Sequence, residues 1–141
     1  MKEDDIITLI RYRLEQAQTA IDDATFLFEG GRSAQSVVNR ALPTGRQAYY
    51  AMFYAALALL QKLGKIPSKH TGVISLFDIE FVQKGIFTKD MSKDFHRVFE
   101  LRQVSDYKSY EKISTQKAKE LLTRAGNFVK MIKEYLDVEP K

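Results

Sequence analysis

The segment YYAMFYAALALL, Tyr49 to Leu60, constrains this chain more than any other. Twelve residues without a charge are too few to span a bilayer, which takes roughly 18 to 20. They are also apolar on nearly every face of a helix, so neighbours must cover them on several sides. The segment is therefore expected at the centre of a helical bundle. The remaining residues agree with that placement. Ile6, Ile10, Leu14, Ala17, Ile21, Ala24 and Phe28 recur at helical spacing and predict a long first helix over 4–29, ended by Gly30-Gly31.

Ser33 is placed to cap a second helical region that runs to Leu63 and closes at Gly64 and Pro67. Leu42-Pro43-Thr44-Gly45 lies inside it. A proline costs roughly 3 kcal/mol in a helix interior and a glycine up to about 1, so two helices are expected, 33–41 and 46–63, broken near Pro43. A helix over 70–84 carries Val73, Ile74, Phe77, Phe81 and Val82 and stops at Gly85. Thr88 caps a helix over 89–105 with Phe95, Val98 and Phe99. Ser114 caps a last one over 114–136 with Ala118, Leu121, Leu122, Ala125, Phe128, Ile132 and Tyr135. No alternating pattern competes with these periods. The fold class is all-α, an up-and-down bundle of four to five helices in a single domain over 1–141.

Composition narrows the chemistry. There is no cysteine, which removes disulfides, thiolate metal sites and a cysteine nucleophile, and fits a cytoplasmic setting. Two histidines without suitably spaced carboxylates argue against a metal site, and no cofactor is expected. HExxH, G-x-S-x-G and GxxxxGK[ST] are absent, which disfavours zinc hydrolases, serine-triad hydrolases and P-loop enzymes. The net charge of +4 permits an anionic partner without requiring one, and no basic run marks a nucleic-acid arm.

Phe95, Phe99, Arg102 and Asp106 follow i, i+4, i+7 and i+11, so an arginine and an aspartate continue an apolar stripe. Buried charge is costly unless paired. The two either bond within the bundle or form a preorganised guanidinium fork for phosphate, oriented by Asp106. His70, in SKHTG, opens a helix and is either an exposed capping residue or an anion and proton-transfer group. His96, one residue off the Phe95 stripe, reads as a surface residue. Tyr49, Tyr50, Phe53 and Tyr54 read as core, or as a stacking surface when arginines lie near.

Three stretches, SVVNRA…YYAMFYAALALL (36–60), SKHTGVISLFDIEFVQKGIF (68–87) and FELRQVSDYKSY (99–110), come in an order that resembles the HEPN family of helical bundles over about 8–135. The resemblance implies a homodimer, often encoded beside a small nucleotidyltransferase that acts as antitoxin to a HEPN toxin. In the family's catalytic members an arginine is followed about four to six residues later by a histidine, and the pair cleaves RNA without metal. The arginine stabilises phosphorane charge while the histidine moves the 2′-hydroxyl proton.

Arg102 matches the motif's arginine, but Gln, Val, Ser, Asp, Tyr, Lys and Ser follow it, with no histidine in the window. An ionised Asp106 cannot be the acid, and Tyr107 is a poor base near neutrality. Removing 41–47 would leave an uninterrupted family-like helix. Seven residues change helical facing by only about 20°, so that segment has room to loop out with the core kept in register, and leaves Arg40 and Arg46 as alternatives for the arginine before the tyrosines.

The leading expectation is a module that binds a nucleotide or RNA phosphate through Arg40 or Arg46, Tyr49, Tyr50, Arg102 and Asp106. The alternative is a metal-independent endoribonuclease with Arg102 stabilising charge and His70 or Tyr107 handling the proton. A third reading is a non-catalytic structural partner of another protein. None of the three calls for a membrane.

Overall fold

The computed structural model describes the backbone of residues 3–30, 34–106 and 115–136, and the side chains of 3–30, 47–100 and 116–136. Among the described residues five α-helices follow in chain order: α1 (Glu3–Glu29), α2 (Ala34–Leu63), α3 (His70–Phe77), α4 (Lys89–Asp106) and α5 (Thr115–Leu136). A π-helical turn, Asp78–Val82, extends α3. No strand occurs among the described residues. The all-α bundle expected from periodicity is the observed architecture.

α2 packs against each of the other four helices. From Ala48 to Leu60 only Tyr50, Phe53 and Tyr54 keep appreciable exposure, so the run that is apolar all round is buried all round. Its most extensive partner is α1. Ala17, Ala20 and Ala24 of α1 and Ala48, Ala51, Ala55 and Ala58 of α2 are all buried, and side chains this small let the two helices run close together. Glu3, Asp4 and Asp5 occupy the first turn of α1, where the helix dipole favours negative charge. Lys133 of α5 donates a hydrogen bond to Gln18 Oε1 and ties α5 to α1.

The stripe read on α1 is the packed one: Ile10, Leu14, Ala17 and Ala24 are buried, and Ile6, Ile21 and Phe28 pack against the core. On α5 the buried face is rotated slightly from the expected one. Val129 and Leu136 are buried, whereas Tyr135 is 43% exposed, with its ring edge against Phe81 and Phe87.

Two boundaries differ from expectation. The second helical region is one helix rather than two: α2 runs through Pro43 and Gly45 without a break, and residues 41–47 do not loop out. A proline forfeits one backbone bond and strains the preceding turn, a cost of roughly 3 kcal/mol. Burying the apolar turns that follow offsets it, since each large apolar side chain gains about 1.5–3 kcal/mol on burial. The other difference is the π-helical turn, where the expected 70–84 helix widens at residue 78. Gln83 N donates to Asp78 O, five residues back, at 2.8 Å.

The glycine stops hold. Gly64 and Gly85 adopt φ of +72° and +78°, conformations that favour a residue without a Cβ. At each, two bonds close the helix end as a Schellman motif. Gly64 N donates to Gln61 O and Lys65 N to Leu60 O, while Gly85 N donates to Val82 O and Ile86 N to Phe81 O. Thr88 caps α4 by accepting from Met91 N at 3.3 Å. Ser33 and Ser114, read as caps, lie outside the described residues.

Candidate functional site

Tyr49 joins α2 to His70 of α3 and to Phe95 and Phe99 of α4, at a junction of the three helices. Tyr49 lies at the heart of α2 with no exposed surface. Its hydroxyl is 2.7 Å from Nδ1 of His70, the first residue of α3, a hydrogen bond whose direction follows the imidazole tautomer. The His70 ring also stacks on Phe53, with centroids 4.2 Å apart and planes at 25°. His70 is half-buried rather than an exposed cap, and the N-cap position of α3 belongs to Lys69. Two α2 residues thus fix one α3 imidazole: Tyr49 through a bond in the ring plane, Phe53 through its face.

The α4 side of the site is built on the predicted stripe. Phe95 and Phe99 both face Tyr49, at centroid distances of 6.4 and 5.8 Å. α4 continues as helix to Asp106, so Arg102 and Asp106 occupy the register positions one and two turns beyond Phe99. Their side chains lie outside the described residues, and so does Tyr107 altogether. The side chains of Arg40 and Arg46 are outside them as well. The unbroken α2 nevertheless orders their backbone positions. At about 100° per residue, Arg46 falls one turn before Tyr50 and Arg40 about half a turn round from Tyr49.

Tyr50 is half-buried, edge-on to Tyr49 at 5.4 Å and stacked with Tyr54 at 6.2 Å. Tyr50 therefore offers ring surface for stacking. Tyr49 does not, and any effect it has on a ligand passes through its neighbours, His70 and Tyr50 among them.

At the other end of α3 from His70 lies a polar cluster that sequence reasoning missed. Asp78, first residue of the π-helical turn, accepts from Ser92 Oγ at 2.6 Å and lies 2.7 Å from His96 Nε2. His96 is the exposed surface residue expected, and it is joined to Asp78. Ser92 and His96 stand one turn apart on α4, a spacing visible in the sequence, but nothing there marks Asp78 as their partner. Serine and histidine each bond the carboxylate and not one another, so this is no nucleophile–base–acid relay.

Glu80, two residues on, receives hydrogen bonds from Lys65 at 2.7 Å and Lys84 at 2.8 Å. These two bonds lower its carboxyl pKa to about 2. On the opposite flank of α4, Asp94 pairs with Arg124 of α5 at 3.2 Å. Burial raises the Asp94 pKa, against the pull of that arginine.

No group of three or more metal-ligating side chains occurs among the described residues. None of the described helices is long and apolar enough to cross a membrane.

The chain matches the HEPN domain model over residues 10–135. It is 33% identical to a UPF0332 protein of Thermotoga maritima over 129 residues, 92% of each chain. A UPF0332 protein of Archaeoglobus fulgidus is 35% identical over 124 residues, 88% of this chain and 92% of that one. A protein of Methanocaldococcus jannaschii named "Putative toxin" is 31% identical over 132 residues, 94% of this chain and 92% of the relative. The HEPN match takes in all three stretches that carried the resemblance and, among the described elements, all but the first turns of α1 and the last residue of α5. The chain belongs to the HEPN domain family.

Proposed function

We propose that this chain is a HEPN-type module that binds a nucleotide or RNA phosphate at the junction of α2, α3 and α4. It works as a homodimer in a toxin–antitoxin or nucleotidyltransferase-associated system. The observation that carries the reading is the fixed imidazole: His70 is bonded to Tyr49 and stacked on Phe53, and Tyr49 in turn faces Phe99, on the α4 stripe whose register continues to Arg102. An immobilised imidazole and an arginine fork suit a phosphodiester, which offers negative oxygens to both. The half-buried Tyr50–Tyr54 pair supplies ring surface for a base. The name of the M. jannaschii relative supports a toxin-related setting.

Titration with nucleotides and short single-stranded RNA at two salt concentrations tests it. Binding that weakens with salt and is lost in Arg102→Ala is the expected result. No binding by the wild type, or equal binding by Arg102→Ala, removes the proposal.

A second reading has its own observation. His70 stands on a different helix from Arg102, yet it supplies an imidazole to a junction whose α4 motif lacks one. In this reading the protein is a metal-independent endoribonuclease: Arg102 stabilises the phosphorane, and His70, oriented from behind by Tyr49, takes the 2′-hydroxyl proton. Cleavage of RNA in the presence of a chelator, lost in both Arg102→Ala and His70→Ala, would establish it. Cleavage that survives Arg102→Ala marks a contaminant, and no cleavage by the wild type leaves the binding module.

A further inference from the structure

The direct contact between α3 and α4 is narrow. Yet the proposed site needs the two helices in a fixed relation, because α3 begins with His70 and α4 carries the Phe95–Phe99 face that leads to Arg102. One polar side chain bridges them at the far end of α3. Asp78 uses both carboxylate oxygens, Oδ1 for Ser92 and Oδ2 for His96, and both partners lie on the same face of α4, one turn apart. Two bonds from one carboxylate to residues i and i+4 fix rotation of α4 as well as its distance, which a single bond cannot do.

The turn that carries Asp78 is itself anchored on the other side. Glu80 holds Lys65 of the α2–α3 connection and Lys84 beyond the turn. The wider π-helical turn sets these two carboxylates, two residues apart, toward different neighbours. A single turn thus fastens the end of α3 to α4 and to the exit of α2.

We propose that Asp78 is a positioning residue for the site: through Ser92 and His96 it sets α4 relative to α3, and so the Arg102 position relative to His70. This rests on the reading of the α2–α3–α4 junction as the binding site. Asp78 is eight residues from His70 in sequence, so its influence travels through the body of α3. It is not proposed to touch a ligand.

The chain has just two histidines, His70 and His96, so its imidazole resonances form a spectrum of two rings. The experiment compares ¹H–¹⁵N imidazole spectra of the wild type, Asp78→Ala and Asp78→Asn, with the rings assigned by His96→Gln. Asp78→Ala is expected to move the His96 signals directly and the His70 signals as well, and Asp78→Asn, which keeps an acceptor for Ser92, to move His70 less. Loss of stability alone would leave the native-state His70 signals in place. His70 signals in Asp78→Ala identical to wild type overturn the proposal. Should Asp78→Ala fail to fold, the Ser92→Ala/His96→Gln double variant removes the same two bonds from the α4 side and is read in the same way at His70.

In parallel, binding of a fluorescein-labelled single-stranded RNA is expected to weaken about three- to tenfold in Asp78→Ala, the scale of coupling through packed elements. Unchanged RNA affinity in a variant whose wild type binds RNA overturns the positioning role. A wild type that binds no RNA instead overturns the proposed function, and the His70 signals then judge the clamp alone.

Discussion

Two aromatic clusters share this bundle and meet at Phe95. On one side Phe77, Phe81, Phe87, Phe95 and Phe128 pack ring against ring, with Phe77 and Phe128 5.2 Å apart and Phe95 and Phe128 also 5.2 Å apart. All five are buried and none carries a polar atom beyond its backbone. On the other side Tyr49, Tyr50, Phe53, Tyr54, Phe99 and His70 make contacts at similar distances, from 4.2 to 6.2 Å. Here hydroxyls and an imidazole enter the packing, and all but Tyr49 keep partial exposure. Geometry alone does not separate the clusters. Polar atoms do, because each must find a partner when buried, and that requirement points rings toward one another and toward the surface. The first cluster holds α3, α4 and α5 together, and the second holds one side chain in one orientation.

Substitutions can break or sharpen that contrast. Phe128→Ala empties a fully buried site in the dry cluster and should cost about 3–5 kcal/mol in chemical denaturation. A loss under about 1 kcal/mol would show that this cluster is not what holds the helices. Gly72→Ala comes next. A Cβ there would meet Pro67 Cβ at 2.8 Å, just behind His70, so a cost of about 1–3 kcal/mol and a disturbed His70 imidazole signal are expected. An unshifted signal would separate the α2–α3 connection from the site.

Tyr49→Phe keeps the ring and removes the bond to His70. Stability should fall by only about 0.5–1.5 kcal/mol, while RNA binding falls more than in Phe128→Ala measured under native conditions. The reverse order of binding effects would erase the distinction between the clusters.

Glu80→Gln is the smallest and concerns pH. The Glu80 pKa is lowered in the fold from 4.5 to about 2, so its contribution is present above pH 4.5 and is lost as pH falls toward 2. The variant should therefore show a flatter loss of melting temperature between those two values. Asp94, whose pKa burial raises, has the opposite sign and favours the fold as it takes up a proton. A profile unchanged by Glu80→Gln would assign the acid sensitivity to other carboxylates.

The legible and illegible parts of the molecule divide along similar lines. The stripe Ile10–Leu14–Ala17–Ala24, the stops at Gly64 and Gly85 and the Thr88 cap could be read because each depends on neighbours within about a turn. Pro43 reads locally as a break, but its cost is outweighed by burial further along α2. His70 is legible as a candidate from its place at a helix start, but its orientation depends on Tyr49, 21 residues away on another helix. Asp78 carried no signal at all, since its partners are 14 and 18 residues distant.

By itself, then, the sequence determined the helix period, the centrality of Tyr49–Leu60, the family and the candidate residues, all of which follow from local spacing and from which side chains avoid water. The tertiary structure alone decided that α2 continues through its proline, that α3 widens into a π-helical turn, and that His70 faces Tyr49 while His96 faces Asp78. Those outcomes turn on which polar atoms meet across helices. A one-dimensional pattern leaves such pairings open, because a hydrogen bond depends on tenths of an ångström and on direction, whereas burial depends only on a face.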